Sequence, residues 1–161
     1  MQKKLIFIMA SLFLVIAANG QRSADNIFRK YKNDSGVMYL DMGGDFARFL
    51  DEGQGIQSEI ETVQIMVFSK GENMKEVDLS ELKTTLTSTP YEMLIQAKHE
   101  GGKANLYVVD NGDYFTELFG IVQSDEYNIY ARIFGKLYYE DVSKLDMNMG
   151  GGKNFGEIFG N

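Results

Sequence analysis

The chain has 161 residues, with 16 basic and 23 acidic side chains, one histidine, and neither cysteine nor tryptophan. Without cysteine there is no disulfide, no thiolate metal site, no cysteine nucleophile and no lipid anchor attached through sulfur. Nucleic acids and anionic lipids are held by clustered Lys and Arg that displace counterions, so the acidic balance argues against both.

In chain order the first feature is an export signal. Lys3 and Lys4 give a positive start, Leu5 to Ala18 is an uncharged run of apolar and small residues, and Ala18 and Gly20 fit the small-residue positions before a cleavage point. A spanning helix needs about 20 apolar residues and a signal core about 7 to 15, so the run suits a signal and falls short of an anchor. Cleavage is expected between Gly20 and Gln21, placing the mature chain in the periplasm or outside the cell with no stable membrane insertion. Loss of Lys3 and Lys4 leaves 14 basic and 23 acidic residues, a formal charge of −9.

The remaining chain is long enough to bury about two thirds of its unfolded surface in one core. The expected organisation is a signal peptide at 1–20, one domain at 21–146 and a flexible glycine-rich tail at 147–161. Ser23 is expected to cap a short helix carrying Ile27, Phe28 and Tyr31, which the turn-forming Asn33-Asp34-Ser35-Gly36 ends. Val37 to Met42 reads as a strand, broken by Gly43-Gly44. Asp45 then caps a second short helix with Phe46, Phe49 and Leu50 on one face, closed by Gly53 and Gly55. Thr62 to Phe68 is almost continuously apolar and is expected at the sheet centre. Asp78 with Glu81 has capping-box spacing and Val77 with Leu82 staple spacing, so a helix should begin at Leu79 and bury Leu79, Leu82 and Leu86. Pro90 forces extended structure on Thr89.

From Tyr91 the apolar period changes to two. Strands separated by Glu100-Gly101-Gly102-Lys103, by Asp110-Asn111-Gly112-Asp113 and by Ser124-Asp125-Glu126 form an antiparallel meander, with positive φ expected at both Asn111 and Gly112. The last strand puts Ile129, Ala131 and Ile133 on one face and Asn128, Tyr130 and Arg132 on the other, and Tyr138, Val142 and Leu145 recur at helical spacing. The fold class is therefore α+β: a meander of about four strands plus two earlier strands, packed with three to four helices.

Phe28-x-x-Tyr31 with Gly36-Val37, the strand Val63 to Phe68, Tyr91-Glu92-x-Leu94, and Phe134-Gly135-Lys136-Leu137 before a helix together resemble the Bacteroidota envelope family catalogued as domain of unknown function 4252. The resemblance covers about residues 26–145. It implies an exported α+β domain, with regulation or envelope maintenance as an association. Lys136 and Tyr138 depart from the pattern, in which an acidic residue often stands before the last helix. No catalytic or binding residue carries over.

His99 is the only histidine, and no serine nucleophile on a strand-turn-helix accompanies it, so it reads as an ordinary polar residue beside a turn. Asp110, Asn111 and Asp113 offer oxygens without the further ligands and late glutamate of a calcium loop, and turn geometry accounts for them. Asp51 with Glu52, Glu59 with Glu61, and Asp125 with Glu126 supply carboxylates of the kind a glycosidase uses, yet solvated charge explains them better. Tyr107, Tyr114, Phe115, Phe119, Tyr127, Tyr130 and Phe134 all fall in the meander, and alternation requires some to face outward. Tyr107, Tyr114 and Tyr130 are candidate contacts for a partner, with cross-strand aromatic pairing as the other account of them; Phe155 and Phe159 join them if the tail is a docking segment that orders on binding, the alternative being a frayed terminus with no role. The reading is a non-enzymatic binding or regulatory module without cofactor or metal, taking an envelope protein or peptide as partner; the alternative is a carboxylate-based hydrolase of envelope polymers.

Overall fold

Ala24, Ile27, Phe28 and Tyr31 follow the i, i+3, i+4, i+7 spacing of a single helix stripe, and all four are buried in the computed structural model, which describes residues 23–43, 57–99 and 101–142. The first helix, α1, covers residues 23–31. Ser23 already lies inside it, and its hydroxyl donates to Glu81 instead of capping α1. The chain leaves the helix through Asp34, whose N–H donates to the Tyr31 carbonyl and whose Oδ1 accepts from the Gly36 N–H.

Seven residues of β1 (Val37–Gly43) pair in unbroken register with β2 (Glu59–Ser69), from Val37 opposite Phe68 to Gly43 opposite Thr62. The helix α2 (Glu76–Leu86) then leads to β3 (Tyr91–His99), β4 (Gly102–Asp110), β5 (Phe115–Ser124) and β6 (Tyr127–Leu137), and α3 (Tyr139–Val142) follows. All six strands form one antiparallel sheet in the order β1-β2-β6-β5-β4-β3. With three helices among the described residues, this is the expected α+β fold. The expected second helix at 45–50 and Leu145 lie outside the described residues.

Three expectations need correction. The apolar strand around Thr62 to Phe68 lies one place in from the β1 edge; β6 and β5 occupy the centre, because the final strand inserts beside β2. The well-signalled helix begins earlier than Leu79, at Glu76, with Lys75 at the N-cap and no side-chain cap. Val77, cast as half of a staple with Leu82, is 68% exposed, whereas Leu82 and Leu86 are buried and Leu79 packs against them. The Asn-Gly turn also differs: among the described residues only glycines have positive φ, Gly112 included. Asn111 Oδ1 accepts from the Asp113 and Tyr114 N–H groups and Asp110 Oδ1 from that of Gly112, so side-chain oxygens close a four-residue loop without a left-handed asparagine.

Gly135 explains the glycine of the Phe134-Gly135 motif. It has a φ of +149°, and a Cβ there would lie 2.1 Å from the Glu59 carbonyl oxygen, where the β2–β6 register slips between Ile60 and Thr62.

Candidate functional site

Alternation divides the sheet into a face under α1 and α2 and a face turned away from them. Under the helices, Met66 and Phe68 of β2, Tyr130 of β6, Phe119 and Ile121 of β5, Tyr107 and Val109 of β4 and Tyr91 of β3 form one buried cluster with Ile27, Phe28, Tyr31, Leu82 and Leu86. The same face buries a charge network at its centre. Arg132 Nε donates to Glu117 Oε1 at 2.8 Å, Tyr91 Oη donates to that oxygen at 3.0 Å, and Arg132 Nη1 donates to Asp25 Oδ1 of α1 at 2.6 Å. Arg132 and Glu117 are wholly buried, and the Asp25 side chain is 58% exposed.

Three rings surround the guanidinium, with centroids at 4.5 Å for Phe134, 5.2 Å for Phe28 and 5.8 Å for Phe119. A planar, weakly hydrated cation tolerates this setting better than a lysine ammonium would. Burial pushes the Glu117 carboxyl above its ordinary range while Arg132 and Tyr91 pull it back. Burial works against the charged Arg132 too, but Glu117 outweighs it and keeps the guanidinium ionised. Arg132 Nη2 and Glu117 Oε2 find no partner among the described residues.

Two further polar clusters fasten the ends of the fold. Asp78, assigned as a cap from its spacing, is instead the buried tie between α1 and α2: it accepts from Lys30 Nζ at 2.6 and 2.7 Å and from Tyr31 Oη at 2.7 Å. Burial opposes its charge, but the Lys30 and Tyr31 bonds outweigh burial and hold its pKa below the ordinary Asp range. Asp141 of α3 is buried as well, and its Oδ2 accepts from the Gln57 and Ser58 N–H groups at 2.7 Å and from Ser58 Oγ at 2.8 Å.

The opposite face is built differently. Reading across the paired strands, Leu40, Ile65, Ala131, Gly120, Leu106 and Ile95 form one row. Beside it run Met38, Val67, Ile129, Val122, Ala104 and Ala97 on one flank and Met42, Val63, Ile133, Leu118 and Val108 on the other. None of these side chains is polar. Towards β4 and β5 the face is closed, with Leu106, Val108 and Leu118 buried and Val142 of α3 packed against their cluster. Towards β1 it opens: Ile65, Val67 and Ile129 are partly accessible, and Met38 and Leu40 are 57% and 42% exposed.

Two of the candidate contact residues therefore lie under the helices: Tyr107 and Tyr130 are buried, and Tyr130 Oη donates to Asn73 Oδ1 at 2.7 Å. Tyr114 is partly buried, edge-on to Tyr138 and beside the Lys136 ammonium, 5.4 Å from its ring centroid. This gives the departing pair Lys136 and Tyr138 a local role. Phe155, Phe159, Asp51 and Glu52 lie outside the described residues, as does the His99 side chain. Glu59, Glu61, Asp125 and Glu126 are exposed, on β2 and on the β5–β6 turn. Sequence reasoning missed Glu117, Arg132, Asp78 and Asp141 as buried groups; the available signal was a charged residue in phase with Phe119 on β5 and Tyr130 on β6.

Among the described residues no helix is long and apolar enough to cross a membrane, and no group of His, Cys, Asp and Glu has metal-binding geometry. No match to a curated protein or to a solved structure was found. The family model for the domain of unknown function DUF4252 matches residues 31–145, from the end of α1 past α3, and the chain belongs to that family.

Proposed function

We propose that the protein is an exported, non-enzymatic module that binds a polypeptide partner through the open end of its apolar sheet face and the neighbouring β1 edge. The observation that carries this reading is the distribution of polarity: the sheet's buried charges are bonded to one another beneath the helices, while apolar rows run outward to the exposed Met38 and Leu40. An apolar surface of this kind gains free energy when a partner removes it from water. The hydrolase alternative has less behind it, because Glu117, Asp78 and Asp141 are held in three separate bonded clusters. Export rests on Lys3, Lys4 and the run from Leu5 to Ala18.

Three measurements test the reading. Mass spectrometry of the protein from the envelope fraction should find a mature chain starting at Gln21; intact Met1 on a cytoplasmic product would reject export. A photo-crosslinker at position 40 should capture a polypeptide, and one at Met93 on the opposite edge should not. Equal capture at both positions would remove the β1 edge from the proposal. Deleting residues 150–161, which include Phe155 and Phe159, tests the tail as a docking segment: loss of a co-purifying envelope partner with unchanged stability would support it, and unchanged amide exchange, stability and pull-downs would reject it.

A further inference from the structure

The two edge strands of the sheet are unequally protected. At β3 the register slips between Met93 and Ile95, and exposed Glu92 and Lys98 place charge on the strand; bulges and edge charges are the usual defences against pairing with another chain. β1 has no such slip, and its only charge is paired. Its seven residues pair with β2 without a slip, its outer edge has no strand neighbour among the described residues, and its one charge, Asp41, is neutralised by Lys32 at 3.1 Å. A regular edge whose single charge is paired, with exposed Met38 and Leu40, is a template for another strand.

The β1 sequence also says which strand fits. On the outward face it reads Met38, Leu40, Met42, the same pattern in either direction about Leu40. We infer that β1 pairs antiparallel with β1 of a second copy of this chain, on a two-fold axis at Leu40, joining two six-stranded sheets into one. In that register Leu40 meets Leu40 of the other copy, Met38 meets Met42 and Val37 meets Gly43. On the helix face Tyr39 meets Asp41, so no carboxylate stands opposite a carboxylate. The contact is isologous, as a closed dimer requires, and it continues the row of Leu40, Ile65 and Ala131 across the axis. The inference rests on the proposed binding role of this edge and names its occupant.

Sedimentation equilibrium of the mature chain, residues 21–161, should show a dimer that dissociates on dilution. Each copy has a formal charge of −9, so added salt should strengthen association by screening their repulsion. Leu40→Lys should give a monomer with an unchanged circular dichroism spectrum, and Met93→Lys should remain a dimer. Because the chain has no cysteine, Leu40→Cys gives a second readout. Opposed residues of an antiparallel pair have Cα atoms about 4.5 to 5.5 Å apart, within disulfide range, so Leu40→Cys should oxidise to a linked dimer and Met93→Cys should not. A monomer at every concentration, a dimer indifferent to Leu40→Lys, or equal disulfide formation at both positions would overturn the inference. If Leu40→Cys instead links to a different envelope protein, the self-pairing is wrong and the binding reading stands; if it links to nothing, both fall.

Discussion

Under α1 and α2 the sheet carries Arg132, Glu117, Gln64 and Asn105 among its aromatic residues, whereas on the other face three rows hold no polar side chain from β1 to β4. A common arrangement for a helix-covered antiparallel sheet places apolar side chains beneath the helices and polar ones in water. Here the charges are tolerable inside because they bond to one another and to Tyr91, and because Asp25 reaches Arg132 from the half-exposed helix. No comparable compensation exists for an apolar row in water. The comparison teaches that the buried face fixes the register of helices on sheet, while the outward face is where the molecule has free energy to gain from a partner.

The largest expected effect breaks the buried pair. Glu117→Leu should lower stability by about 3–5 kcal/mol, because Arg132 keeps its charge with only Asp25 to oppose it, and adding Arg132→Met should recover much of the loss. Denaturant unfolding measures both. A cost below about 1 kcal/mol for the single variant would mean that water reaches the cluster and that the contrast between the faces is weaker than drawn.

Next comes Asp78→Asn, expected to cost about 1–3 kcal/mol through the lost Lys30 bonds and a poorly satisfied Tyr31 hydroxyl. Its signature is pH dependence. The folded pKa of Asp78 is depressed, so its contribution is present above the ordinary value of 3.8 and is lost as pH falls below it. The variant should lack that share of the acid slope. Glu117 has the opposite sign: its folded pKa is raised by burial, so its contribution falls as pH rises above the ordinary 4.5. Comparing stability between about pH 3 and 7, from roughly one unit below the lower value to roughly two and a half above the upper, in Asp78→Asn and Glu117→Gln separates the two slopes.

Smaller still is Tyr91→Phe, which removes one donor from Glu117 while another remains and should cost about 1 kcal/mol. Least of all is Leu40→Lys on the apolar face, within about 0.5 kcal/mol for the monomer at low concentration. Thermal melts of the two variants should rank in that order. A large loss at Leu40 in the monomer would show that this end of the face is covered from within the same chain.

Elements whose signals are local were legible in the residues. The stripe of α1, the strands between Gly-rich and Asx-rich turns, and the meander from Tyr91 to Leu137 all rest on spacing within a few residues. Asp78 misled for the same reason: its distance from Glu81 imitates a capping box, while the partners that matter, Lys30 and Tyr31, lie 48 and 47 residues away. Tyr107 and Tyr130 were candidate outward contacts because alternation assigns side chains to two faces without saying which the helices cover.

By itself the sequence determined the element types, the antiparallel meander and the α+β class, since periodicity and turn chemistry are short-range properties. It also carried the match to the family model over residues 31–145. Only the tertiary structure decided that β6 inserts beside β2, that α1 and α2 cover the face bearing Arg132 and Glu117, and that β1 is an edge with no further strand neighbour among the described residues. Those outcomes depend on pairing between segments far apart in the chain, where the free energy of burying one face against another selects among arrangements that local spacing leaves equal.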